Sequence, residues 1–420
     1  MKRILPEKKS HYLFLRQGAS PLLILARIFW SYHHRRWIFR VFGCFIVFTV
    51  IQIIHTDIRA DGFQHGEISL LYQWSLQTEG PFNQAPEIRG NKVYGIPQKG
   101  ALFSLKLDDG TLIWKKSIQA GWWDRTLALD EEKVYAASRK AGLFAFDLNS
   151  GKEIWRTDLG IQVQVRPLPV NGVVYTPSTH VGTDIPSHHE KSAKLFALDA
   201  VDGSILWAHE SHCYALQTPF YRNGVIYLAG SYFNPQLDID EGGPMSIEAL
   251  DAETGEILWL THGTDGFVKS IYATDHEVIY IGYQDFVNGL SRINGVRIWR
   301  RDTGNWVPDL AGLEGYVYFG SANTMVHARR TADGSAIWEY NIPWGSFNYL
   351  LGKPVIEEGR LYFLTQRGQV LALNQGTGAP LWYAQTGLAS RTGLGYGNSR
   401  IVIGDMKGKL HTYLIPKSIR

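Results

Sequence analysis

Arg125, Arg166, Lys269 and Arg391 each follow shortly after a Trp in a chain that repeats itself, so one point of a repeated unit supplies several cations. Gln84, Gln164, Tyr214 and Asn348 hold the matching place elsewhere, and Trp123, Trp306 and Trp344 stand close by. If the repeats close around an axis, these side chains face one cavity. Fixed cations beside aromatic faces suit a flat, anionic ligand, held by charge-assisted hydrogen bonds and cation–π contacts. A plainer reading carries more weight: a polar, water-filled channel needs paired charges, and Asp124 and Asp309 supply acids at the same point.

Other chemistry has less behind it. His180, His188 and His189 lie near Asp184 and Glu190, but at no metal-ligand spacing, and Asp238, Asp240 and Glu241 lack the EF-hand pattern. No Ser-His-Asp order, Gly-rich phosphate loop or zinc spacing stands out. Of the two cysteines, Cys44 sits in an apolar run and Cys213 in the repeats, so they are not expected to pair. A large core needs no such staple. No catalytic residue and no metal site is assigned.

The elements that position the polar set repeat seven times. Leu143 to Trp155 reads LFAFDLNSGKEIW, and versions of it end at Trp114, Trp207, Trp259, Trp299, Trp338 and Trp382. Each time a Gly precedes the Trp by four residues: Gly110, Gly151, Gly203, Gly255, Gly295, Gly334 and Gly378. The steps from Trp to Trp are 41, 52, 52, 40, 39 and 44 residues, a period that marks a propeller or solenoid. Gly between alternating runs is a hairpin signal, because such turns need positive φ. A further strand precedes each hairpin, as in Val278-Ile-Tyr-Ile, and a polar-aromatic one precedes that. Four strands per repeat make a propeller blade. The polar set is expected on the inner strands, and each Trp on an outer strand, filling the wedge to the next blade. Trp74 is an eighth docking Trp without its Gly. Residues 68–74 supply one strand, and the chain after Trp382 supplies three, Ala389–Leu394, Ser399–Gly404 and Lys409–Leu414. Joining them closes an all-β, eight-bladed ring; seven blades is the competing count.

Repeats of the form LFALDxxxGxxxW resemble the tryptophan-docking repeat of the PQQ-binding-like β-propeller superfamily, over residues 68 to 415. That superfamily includes the quinoprotein alcohol dehydrogenases and the BamB-type envelope scaffold, and the repeats are closest in style to the scaffold. The resemblance is specific for fold and not for function. It implies that an enzyme of this class would carry an adjacent Cys-Cys pair, an acidic base and a calcium site on long insertions. This chain has no Cys-Cys and little inserted sequence, so PQQ is the one cofactor left open and none is expected.

Residues 1–40 carry nine Lys or Arg and one acid, a net +8 in a chain of net +3, which leaves −5 for the rest. The basic balance therefore belongs to the tail and gives the repeats no nucleic-acid footprint. From Trp37 an 18-residue apolar run holds only Arg40. It is read as a short transmembrane signal anchor, with the dense positive charge before it on the cytoplasmic side. The expected order is a basic cytoplasmic tail (1–36), a single-pass inner-membrane anchor (37–55), a linker (56–66) and a propeller (67–418) in the periplasm or another extracytoplasmic space. Two long loops, 176–194 and 228–246, project from one face and form the expected surface for a protein partner. The sequence thus points to a monomeric, membrane-anchored, non-catalytic scaffold for envelope or membrane-protein assembly. A PQQ-dependent dehydrogenase and a glycan-binding propeller are the alternatives.

Overall fold

The computed structural model describes residues 65–118, 125–138, 142–163, 165–178, 193–213, 215–231, 245–263, 266, 268–282, 285–343 and 349–419, with Arg125 and Ala215 by backbone alone. The tail, the candidate anchor and most of the two long loops lie outside these residues. Among those described, no helix is long and apolar enough to cross a membrane.

Eight antiparallel sheets succeed one another along the chain, each a meander from inner to outer strand. Blade 1 runs Glu87–Arg89, Lys92–Gly95, Leu102–Lys106 and Leu112–Lys116. The inner strands of blades 2, 3, 5, 6 and 7 are Arg125–Leu129, Leu168–Val170, Ser270–Ala273, Leu310–Leu313 and Leu350–Glu357. Blade 4 divides its inner strand into Ala215–Leu216 and Phe220–Arg222, both paired with Val225–Ser231. Blade 8 takes Gly395–Gly397, Arg400–Gly404 and Lys409–Leu414 from the C-terminal end and its outer strand, Leu71–Gln77, from the other end of the propeller. The fold is therefore an eight-bladed, all-β ring. Blade 8 departs from expectation at two of its strands. The closing strand is 71–77 rather than 68–74, and the last inner strand is 395–397 rather than 389–394.

Each Trp docks as its repeat position implies. The Nε1–H of Trp74, Trp114, Trp155, Trp207, Trp259, Trp299 and Trp338 donates at 2.8–3.3 Å to a backbone carbonyl beside the hairpin of the next blade. In blades 1–4, 6 and 7 a Tyr on the second strand lies tilted against the same blade's Trp, ring centroids 5.8–6.1 Å apart. The seven hairpin glycines have φ between +65° and +75°, and the indole of the preceding blade lies flat on each. Turn geometry and close approach thus both require Gly.

Small residues stand directly across from the Trp: Ser104, Ala145, Ala197, Ala249, Gly289, Ala328 and Ala372. The register slips just beyond that pair in all seven blades, so the residue before each Trp is a bulge. A bulge strengthens local twist and turns that side chain outward.

The seventh interface, onto blade 8, is built differently. Blade 8 has no hairpin there, because its third and outer strands come from opposite ends of the propeller. Trp382 is fully buried among Ile415, Leu394 and the flanking Ile68 and Leu70. Its indole N–H meets no acceptor among the described residues. The segment just before the closing strand lies along the outer edge of blade 7: His65 N–H donates to Leu381 O, and Ile68 N–H to Tyr383 O, at 2.8 and 2.9 Å.

Candidate functional site: the axial mouth

The polar set lies in the segments leading into the inner strands, not on the strands themselves. Gln84, Arg166, Lys269, Trp306 and Arg391 all precede their inner strand, and of the ten expected residues only Arg125 begins one. These segments lack the apolar alternation that holds a strand, and side chains in them bind backbone of other strands instead. Ser390 Oγ, for example, donates to Gly404 O at 2.8 Å. Trp123, Gln164, Tyr214 and Asn348 lie outside the described residues, as do Trp344 and the loop histidines.

Gln84 ties blade 1 to blade 2. Its Nε2 donates to Leu127 O and its Oε1 accepts from Leu127 N, at 2.9 and 3.1 Å. The same Nε2 reaches Glu87 Oε1 at 2.8 Å. Arg166, arriving from blade 3, pairs with that carboxylate at 2.5 Å. Burial nevertheless raises the Glu87 pKa above the ordinary carboxylate value, against Arg166, Gln84, Arg89 and Lys353, which lower it. Asp309, at the start of blade 6, behaves alike. Burial raises its pKa while Ser270, Lys353, the Leu310 N–H and Arg166 pull it down. Arg166 and Lys353 therefore act on both acids, and charged groups from blades 1, 3, 6 and 7 face one another at the axis.

A second arrangement sits between blades 5 and 6. Lys269 Nζ lies 3.9 Å from the centre of the Trp306 ring. Burial pushes the Lys269 pKa down to about 8, with Asp285 acting the other way. Arg391 is exposed. Sequence reasoning had Arg166, Lys269, Asp309 and Trp306 near one cavity. It missed Glu87, Lys353 and Ser270, which sit on inner strands where no repeated phrase marks them.

Polar chemistry away from the axis gathers where blade 3 meets blade 4. The buried Glu248 carboxylate accepts from His209 Nε2 and Ser211 Oγ, both at 2.7 Å, and from His212 N at 3.0 Å. Burial works against the charged form, but these donors outweigh it and hold its pKa below the ordinary value. Ser211 is spent on the carboxylate rather than on a histidine, so this is a joint and not a nucleophile with its base. Cys213 is buried beside Ser246 Oγ at 2.8 Å, and burial pushes its thiol up to about 11, away from thiolate chemistry. Among the described residues no group of His, Cys, Asp and Glu is placed to hold a metal.

A closed ring of eight blades locked by Trp on Gly defines a PQQ-like β-propeller. The family described as outer membrane protein assembly factor BamB matches residues 98–212, 179–301 and 243–413, and the chain belongs to that family. The outer membrane protein assembly factor BamB of Moranella endobia (strain PCIT) is 29% identical over 236 residues, 52% of this chain and 56% of that protein. The chain thus spans about half the length of the curated relatives it matches. The crystal structure of BamB from Moraxella catarrhalis superposes with a TM-score of 0.62 at 17% identity, over 82% of this chain and all of that one. A europium-containing methanol dehydrogenase superposes with 0.63 at 14% identity, over 84% of this chain and 96% of that one. At such identities both structures show the fold alone.

Proposed function

We propose that the protein is a membrane-anchored, non-catalytic propeller on the exported side of a membrane, binding a protein partner in envelope or membrane-protein assembly. The single observation that carries this reading is the family match across most of the blades. The relatives' own description, an assembly factor, supports a protein partner. The loops 176–194 and 228–246 are the proposed contact, and residues 37–55 the proposed anchor.

Photo-crosslinking from single positions in each loop, in cells, tests the reading. One recurrent protein product from both loops is expected. Titration of the purified chain with PQQ and calcium tests the dehydrogenase alternative. Saturable binding that Arg166→Ala abolishes would replace the scaffold with a quinoprotein.

A further inference from the structure

The outer strand of a blade pairs on one side only, so its other edge faces solvent around the rim. Natural proteins blunt such edges with charge, Pro or cover. Blade 7's edge is covered by residues 65–68. The outer strands of blades 1, 2, 3, 5 and 6 carry charge within them, as in Lys115, Arg156, Glu210, Arg300 and Glu339. Blade 8's outer strand, Leu71–Gln77, is uncharged, and so is blade 4's, Ile257–Gly263, which reads ILWLTHG. Its Leu258 is 53% exposed. On the next blade Ile293, Val296 and Ile298 are 88%, 61% and 52% exposed. Aliphatic exposure of this extent on two successive blades is the mark of an interaction surface.

Charge divides the patch in two. From Asp251 to Gly263, blade 4 carries Asp251, Glu253 and Glu256 and no Lys or Arg. From Ser291 to Asp302, blade 5 carries Arg292, Arg297, Arg300 and Arg301 against Asp302 alone. Two of these guanidiniums donate to neutral acceptors, with the Asp275 and Asp333 carboxylates close enough to act on them. Arg292 Nε donates to the Tyr227 hydroxyl, and Arg301 Nη2 to Asp333 O, at 2.8 and 2.7 Å.

We propose that this rim binds a second copy of the chain about a twofold axis parallel to the propeller axis, running between blades 4 and 5. Acidic blade 4 of each copy then meets basic blade 5 of the other around a shared aliphatic centre. A twofold contact uses one patch on both subunits, so the patch must contain its own complement. This one does. The other way to join two rims, a twofold perpendicular to the propeller axis, would pair the open edges antiparallel. It would also set acid on acid and Arg on Arg. An anionic lipid surface would be drawn to blade 5 and repelled by blade 4 beside it. Two convex rims touch over a limited area, at the low end of specific interfaces (below about 1,200 Å² in total), so the dimer forms reversibly. The residues named here lie outside both long loops, and the inference stands apart from the partner proposed for them.

Sedimentation velocity of the full chain, in density-matched detergent over a range of concentrations, tests this. A monomer–dimer equilibrium is expected for the native protein. Arg297→Glu with Arg301→Glu, and separately Glu253→Lys with Glu256→Lys, should each be monomeric. An equal mixture of the two should dimerise again, because every contact is then between opposite charges. Leu258→Asp should weaken the native dimer at least tenfold. It serves as the independent arm if thermal melts show that a double variant misfolds. A native chain that stays monomeric at every concentration overturns the proposal. So does a dimer indifferent to all these changes, or a mixture of two folded variants that fails to associate.

Discussion

Gly203 and Gly224 both adopt positive φ, +75° and +77°, yet they are not equivalent. A Cβ on Gly203 would lie 2.5 Å from the Trp155 ring, whereas one on Gly224 meets nothing within 4 Å. Gly224→Ala should therefore cost only the left-handed backbone penalty of about 1–2 kcal/mol. Gly203→Ala should add an overpacking cost of about 1–3 kcal/mol. Denaturant midpoints of the two variants measure the difference, and equal losses would contradict the docking geometry. Lys269 gives a residue-scale pH effect. Its folded pKa of about 8 lies below the usual 10.5, so between those values the unfolded chain holds more protons and stability rises with pH. Lys269→Met should flatten that rise, which unfolding midpoints below and above the window will show. An unchanged slope would mean that the ammonium is not desolvated as described.

At the scale of the element, the blade interface recurs seven times and is altered once. Trp155→Phe removes the donor to Ala200 O (3.1 Å) and leaves a buried carbonyl unsatisfied, at a cost of about 1–3 kcal/mol beyond the lost ring area. Trp382→Phe removes an N–H that has no acceptor among the described residues, so it should cost less, although Trp382 is the more deeply buried. Thermal melts of the pair decide it, and a Trp382 variant that loses as much as the Trp155 variant would show that its N–H is satisfied. The outer hairpins were legible in the sequence because Gly and Trp answer the same two demands every time: a left-handed turn, and a flat surface for the next indole. The inner strands were misplaced by several residues, since the polar segments before them carry no alternation to mark where pairing begins. Glu87 and Lys353 were invisible for a related reason. They come from blades 1 and 7, distant in sequence, and only closure of the ring brings them to the same axis. The bulge before each Trp was also hidden, because Ile154 or Leu206 reads as an ordinary strand residue until the register is known.

For the whole molecule, closure depends on Leu71–Gln77 pairing with Lys409–Leu414. A chain of residues 65–420 should unfold in one cooperative transition. A chain of 78–420 lacks Trp74 and the outer strand of blade 8 and should melt far lower or resist folding, with rapid proteolysis beginning in blade 8. Comparable melts for the two would show that the ring does not need its clasp. The clasp also fixes the order of events during synthesis. Its first strand is made early and then waits, unpaired, until more than 300 further residues have been added, a separation in sequence that slows folding. A chain interrupted anywhere before Lys409 therefore keeps that strand, Trp74 included, exposed and unpaired. Such strands are templates for aggregation, and exposed apolar segments are what chaperones and proteases act upon. The joint that completes the ring thus also reports whether the chain has been finished.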